Sequence, residues 1–222
     1  MSDLRLVIVR HGVTDWNREG RFQGHLDPPL GQAGHHEARL VGERIGADDE
    51  LRPARIVSSS LARAMQTAAA IAATTGAEIE ADRRLMEIGQ GEWEGRTHAE
   101  LEVTDAERYR AWRSAAGVRQ PPGGEPIAEA TERVTALLDE LRASEPATIC
   151  LVSHGGTLRI LARQIFGLGD DRSWALDVDN ASVSVATAVD GRWRLDRWND
   201  TRHLLGRELT HVDEAEGRPL AL

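Results

Sequence analysis

Two histidines in this chain stand in the same kind of place. Leu4-Arg5-Leu6-Val7-Ile8-Val9 is a short apolar run rich in β-branched residues, and it stops at Arg10-His11-Gly12. Ala147-Thr148-Ile149-Cys150-Leu151-Val152 is a second such run, and it stops at Ser153-His154-Gly155-Gly156-Thr157. Runs of this kind read as strands buried on both faces. A glycine straight after the polar residues lets the backbone turn. Two parallel strands would bring both imidazoles to one rim of the sheet, the rim where open α/β sheets place ligands. A neutral imidazole can attack phosphorus, and arginine forks match phosphate oxygens, so His11 and His154 with Arg10 and Arg63 have the equipment for phosphoryl transfer. For either turn taken alone, a strand end whose polar residues simply meet water is the plain alternative.

Several motifs in fixed order add to the two turns. Arg10-His11-Gly12 with Thr14 and Asn17, the turn Ser58-Ser59-Ser60-Leu61-Ala62-Arg63-Ala64, Glu87, and Ser153-His154-Gly155 together resemble the histidine phosphatase superfamily. The resemblance is to the branch that holds cofactor-dependent phosphoglycerate mutases and related phosphatases, and it runs from about Leu4 to at least Trp198. It implies His11 as nucleophile, Glu87 as proton donor and His154 as the second imidazole. It implies phosphate contacts from Arg10, Asn17, Arg63 and Gly155, and substrate contacts from Thr14, Gln23 and Gly24. Glu92 and Glu94 lie in the same glycine-punctuated loop as Glu87 and compete for the acid role.

The chemistry these residues allow matches those roles. His11 would donate one ring nitrogen to a backbone carbonyl, which fixes its tautomer, and attack through the other. His154, if protonated, would add charge opposite the arginines. A carboxylic acid of ordinary pKa, about 4.3, is ionised at neutral pH, so Glu87 as an acid calls for burial; once ionised it could activate the hydrolytic water. No metal or other cofactor is expected, because the chain has one cysteine and no histidine pair at helical spacing beside an acid. Ser153-His154-Gly155-Gly156 is similar to the oxyanion loop of lipases, but a Gly-x-Ser-x-Gly elbow is missing from the sequence. A phosphate-binding module without turnover is the alternative from another class; it would be expected to lack the nucleophile or the acid.

Composition narrows the function further. All 27 basic residues are arginine, which removes Walker-A and Schiff-base lysine chemistry. A net charge of −9 argues against nucleic acid as a partner and for a local arginine pocket holding a small phosphorylated metabolite. No stretch approaches a membrane span, and no charged region followed by an apolar signal core opens the chain. One cysteine in an expected buried strand points to the cytoplasm. A homodimer is left open.

Length and periodicity then give the elements that must position the site. The reading is a single 222-residue domain, an α/β fold: a three-layer α/β/α sandwich with a central, mostly parallel sheet. Helices are expected from Ala33 to Gly46, Leu61 to Thr75, Ile127 to Arg142 and Thr157 to Phe166. The serines of 58–60 are expected to cap the second of these. Short strands at Ala54–Val57 and Ala77–Ile79, and a hairpin of Ser182–Val189 and Trp193–Trp198 about Asp190-Gly191, complete the sheet. Thr14 to Gly24 reads as a polar loop. A lid-like insertion at about 88–126 contains Trp93, Tyr109, Trp112 and Arg113 as candidates for lining the pocket. Its balance of five arginines against seven acids from Ile88 to Pro126 favours a phosphatase over a mutase, whose insertion is longer and more basic. Asp200-Thr201-Arg202-His203-Leu204 resembles a tail segment of some of these phosphatases, with His203 a candidate to reach the site. The tail after Thr201 is expected to pack loosely.

Overall fold

The computed structural model describes residues 4–114, 120–145, 147–169, 175–189 and 192–205. Six strands form one sheet: β1 (Leu4–Arg10), β2 (Arg55–Ser58), β3 (Glu78–Ala81), β4 (Thr148–Ser153), β5 (Val183–Val189) and β6 (Arg192–Asp200). Their order is β3-β2-β4-β1-β5-β6. The first four run parallel, and β5 and β6 add an antiparallel edge. The expected mostly parallel sheet is therefore present. The Asp190-Gly191 turn and the tail from 206 onward lie outside the described residues.

Strand alternation in β1 explains the layers. Leu6 and Ile8 point into one core with Val134, Leu137 and Leu138 of α6 (Ile127–Ala143) and Leu158 and Leu161 of α7 (Gly155–Phe166). Val7 and Val9 point the other way, into a core with Val41 and Ile45 of α2 (Gln32–Gly46) and Ala64, Ala68 and Ile71 of α3 (Ala62–Thr75). Fully burying side chains of this size contributes roughly 1.5–3 kcal/mol each. A charge at Ile8 would therefore cost the α6–α7 layer its anchor. Sheet and helices together form the three-layer α/β/α sandwich.

Three local features depart from the sequence reading. Thr14 to Gly24 contains a one-turn helix, α1 (Asp15–Arg18), closed by a capping box between Thr14 and Asn17. The serines do not cap α3: its N-cap is Leu61, and the Ala62 amide donates to Asp27 Oδ1 at 2.7 Å. The acceptor comes from a loop distant in sequence, which local pattern does not reveal. Trp93 and Tyr109 serve the interior of the insertion, and Tyr109 also borders a surface cavity with Glu102, Arg110 and Arg113, apart from the histidine pair. Both are buried with Phe22 and Leu101 in a small aromatic core against which Trp112 packs, beneath α4 (His98–Thr104) and α5 (Ala106–Arg113). Arg113 pairs with Glu102 and lies over the Tyr109 ring. Aromatic area is what an insertion of this length has to bury to hold its own shape.

Candidate active site

The parallel pairing of β1 and β4 sets Arg10 opposite Ser153, so His11 and His154 leave neighbouring strands at the same level. Their ring centroids are 5.0 Å apart, with planes inclined at 57°. Both rings are buried.

His11 Nδ1 donates to the Gly12 carbonyl at 2.7 Å, which leaves the Nε2 lone pair as the nucleophilic position. Burial, and then the charges of Arg63 and Arg10, hold its pKa well below 6.5. The ring is thus a neutral imidazole in the free chain. The backbone around it is fixed at each residue: the His11 amide bonds to Ser153, Gly12 to Thr67 Oγ1, Val13 to Glu37 Oε2 and Thr14 to Asn17 Oδ1. Gly12 is obligatory here, since a Cβ would lie 2.5 Å from the Gly34 carbonyl oxygen.

His154 is held from two sides. Arg63 Nε donates to its Nδ1 at 3.2 Å, and its Nε2 lies 2.7 Å from Ser59 Oγ. A guanidinium donating to Nδ1 leaves the ring proton on Nε2, donated to the serine. Burial, then Arg63, hold the His154 pKa well below 6.5. The geometry therefore corrects the idea of a protonated His154 in the free chain: positive charge at the site comes from the arginines.

Arg63 sits in the first turn of α3 and is almost fully buried. Besides His154 it donates to the carbonyls of Leu26 and Gly24, at 3.0 and 2.9 Å, and so ties the 24–27 loop to the site. Desolvation pulls its pKa down to about 10, which still leaves it charged at neutral pH. Arg10 Nη1 donates to the Val178 carbonyl at 2.6 Å. Gly155 lies against that guanidinium: a Cβ there would stand 3.4 Å from Arg10 Cζ.

The remaining expected residues fall around this centre with different tasks. Asn17 is buried, and its Oδ1 accepts from the Thr14 amide and hydroxyl, both at 3.0 Å. Thr14 spends its hydroxyl in that capping box. Gln23 is buried with its Oε1 unpartnered. Gly24 has φ +51°, and a Cβ there would run into the Glu94 carboxylate. Glu87 is half-buried at the N-terminus of α7, where its carboxylate accepts from the amides of Ile88, Gly156 and Thr157 and from the Thr157 hydroxyl. Glu94 is engaged by the His25 and Gln90 amides, and Glu92 pairs with Arg108 at the surface.

Three residues of the site escaped sequence reading, and a fourth, Ser59, lay in a quoted motif but was expected to cap a helix. Glu37 had one usable signal, an acid on the apolar stripe of α2. Thr67 and Asn180 had none, because each acts through a partner brought in by the fold, and the fold gives Ser59 to His154 in place of the helix. His203, a candidate for the pocket, instead bonds through Nε2 to the Ala181 carbonyl at 3.0 Å.

Two histidines at paired strand ends, flanked by two buried arginines and a carboxylate, are the kinds of groups that phosphoryl transfer calls on. The family model of the histidine phosphatase superfamily (branch 1) matches residues 6–201. Glucosyl-3-phosphoglycerate phosphatase of Mycobacterium tuberculosis is 34% identical over 90% of this chain and 96% of its own. Phosphoserine phosphatase 1 of Hydrogenobacter thermophilus is 32% identical over 90% of this chain and 94% of its own. A mycobacterial glucosyl-3-phosphoglycerate phosphatase solved with VO3 superposes with a TM-score of 0.79 at 36% identity, over 89% of this chain and all of the other. The chain belongs to the histidine phosphatase superfamily. Within it, the chain is a phosphoric monoester hydrolase.

Proposed function

We propose that this phosphatase hydrolyses small phosphomonoesters without a metal, through a phosphohistidine on His11. The observation that carries the reading is the His11 ring itself: neutral, oriented by the Gly12 carbonyl, and 5.0 Å from the His154 ring. In the first step Nε2 attacks phosphorus, the ester P–O bond breaks, and its electron pair leaves on the alcohol oxygen. A protonated Glu87 gives that oxygen its proton. In the second step the Glu87 carboxylate takes a proton from water, and the hydroxide attacks phosphorus. The P–N bond then breaks and returns its pair to His11. Arg10, Arg63 and Asn17 hold the equatorial oxygens throughout.

The single buried thiol, Cys150, which burial pushes up to about 12, needs no oxidising compartment, so the reading places the protein in the cytoplasm. Among the described residues no helix is long and apolar enough to cross a membrane. The reading takes segment 88–126 as a lid-like insertion, in which Trp93, Leu101 and Tyr109 pack with Phe22.

The test is a rate measurement with EDTA present, on p-nitrophenyl phosphate, phosphoserine and glucosyl-3-phosphoglycerate, and on interconversion of 3- and 2-phosphoglycerate. Phosphate release that EDTA leaves intact, and a best hydrolysis rate well above the mutase rate, are expected. A mutase rate above every hydrolysis rate, or activity lost to EDTA, would overturn the reading.

A further inference from the structure

The segment just before β5 crosses the end of β1 and binds it repeatedly. Val178 accepts from Arg10 Nη1, and the Ala181 amide donates to both the Arg10 and His11 carbonyls at 3.1 Å. Ala181 does this at φ +55°, buried, in a conformation that L-residues rarely adopt. Between them, Asn180 turns its side chain to the nucleophile's backbone. Its Nδ2 donates to the His11 carbonyl at 3.0 Å and reaches Asn17 Oδ1 at 3.5 Å.

The second contact bears on which way Asn17 faces. An amide has one oxygen that accepts and one nitrogen that donates. Here the Asn17 oxygen meets three donors: the Thr14 amide, the Thr14 hydroxyl and Asn180 Nδ2. Turning the amide over would set its NH2 against the two N–H donors, the Thr14 amide and Asn180 Nδ2. With the oxygen so occupied, the face the Asn17 amide turns to each side is fixed.

We propose that Asn180 is a positioning residue: it holds the His11 carbonyl and fixes the orientation of the Asn17 amide. The inference rests on the phosphatase reading above, in which Asn17 and His11 meet the phosphoryl group. Nothing in it requires Asn180 to touch substrate.

Steady-state kinetics on p-nitrophenyl phosphate test it, with melting temperatures measured on each protein. Asn180→Ala removes the donor and should lower kcat/KM about tenfold, the effect of one lost hydrogen bond. Asn180→Asp fits the same space but turns an acceptor toward two acceptors, and should lose about tenfold more. A residue that only filled space would rank these variants the other way. Asn180→Ser keeps a shorter donor and should recover part of the loss; it also serves if the alanine variant does not fold. In the Asn17→Ala background, Asn180→Ala should cost clearly less than in the wild type, because one of its targets is gone. Wild-type kcat/KM in the aspartate variant, or losses at Asn17 and Asn180 that simply multiply, would overturn the proposal. Wild-type protein that released no phosphate would instead overturn the parent reading.

Discussion

Arg63 Nε points at His154 Nδ1 from 3.2 Å, so a charged guanidinium assigns the tautomer of the second imidazole. The same side chain holds the Gly24 and Leu26 carbonyls. One buried arginine thus couples the pocket loop to the imidazole pair. Replacing it by glutamine removes a charge-assisted bond worth about 1.5–3 kcal/mol. The expected result is a fall in kcat/KM of about ten- to a hundredfold or more, and a His154 titration, followed by imidazole NMR, that moves up toward 6.5. An unmoved titration would mean that burial alone sets it.

Glu87→Gln should slow turnover by about 10²–10⁴-fold, the usual worth of a positioned general acid or base. With p-nitrophenyl phosphate the leaving group departs without a proton, so the missing base should show mainly in the second step. A burst of p-nitrophenol followed by slow release is the expected trace. Full activity in this variant would transfer the role to Glu94, which sits nearer the site than the surface pair Glu92–Arg108.

The pH dependence follows from three histidines held neutral. His11 and His154 lie well below 6.5, and burial brings His203 down to about 4. Each depressed pKa means that the unfolded chain binds a proton the native chain refuses. Their contribution is complete above about pH 6.5 and is lost as pH falls from there toward the folded values. Stability should therefore decline below about pH 6.5 with a slope approaching about 4 kcal/mol per pH unit, three protons at about 1.4 each. Urea unfolding at stepped pH measures it. His203→Gln, which retains a side-chain donor for the Ala181 carbonyl, should remove about one proton from the slope.

Much of this molecule was legible in the sequence, for identifiable reasons. Strands buried on both faces leave unbroken apolar runs, so β1 and β4 and the histidines ending them could be read directly. The amphipathic stripes of α2 and α6 gave the flanking layers. What could not be read was tertiary exchange. Asp27 caps a helix that adjacent serines were expected to cap, because a loop delivers its carboxylate to Ala62. Trp93 and Tyr109 were candidates for lining the site but pack with Phe22 and Leu101 in a small aromatic core. Asn180 sits in an aperiodic polar stretch, and only its contact with the His11 carbonyl gives it meaning.

Gly24 offers a sharper test of the pocket loop than any charged residue. It combines φ +51° with a Cβ position already taken by Glu94 and the Gln90 amide. Gly24→Ala should displace the carbonyl that Arg63 holds, raising KM and lowering kcat together, at a stability cost of about 1–3 kcal/mol for the strained conformation. Unchanged kinetics would show that the loop's hold on Arg63 is dispensable.

The central claim is a covalent bond between phosphorus and His11. Rapid mixing with a ³²P-labelled phosphomonoester, quenched during turnover, should trap label on the protein that is stable in base and released by acid. Glu87→Gln should increase the trapped fraction, and His11→Asn should abolish it along with turnover. Hydrolysis that continues in His11→Asn, or turnover by a wild-type protein that never becomes labelled, would contradict the account.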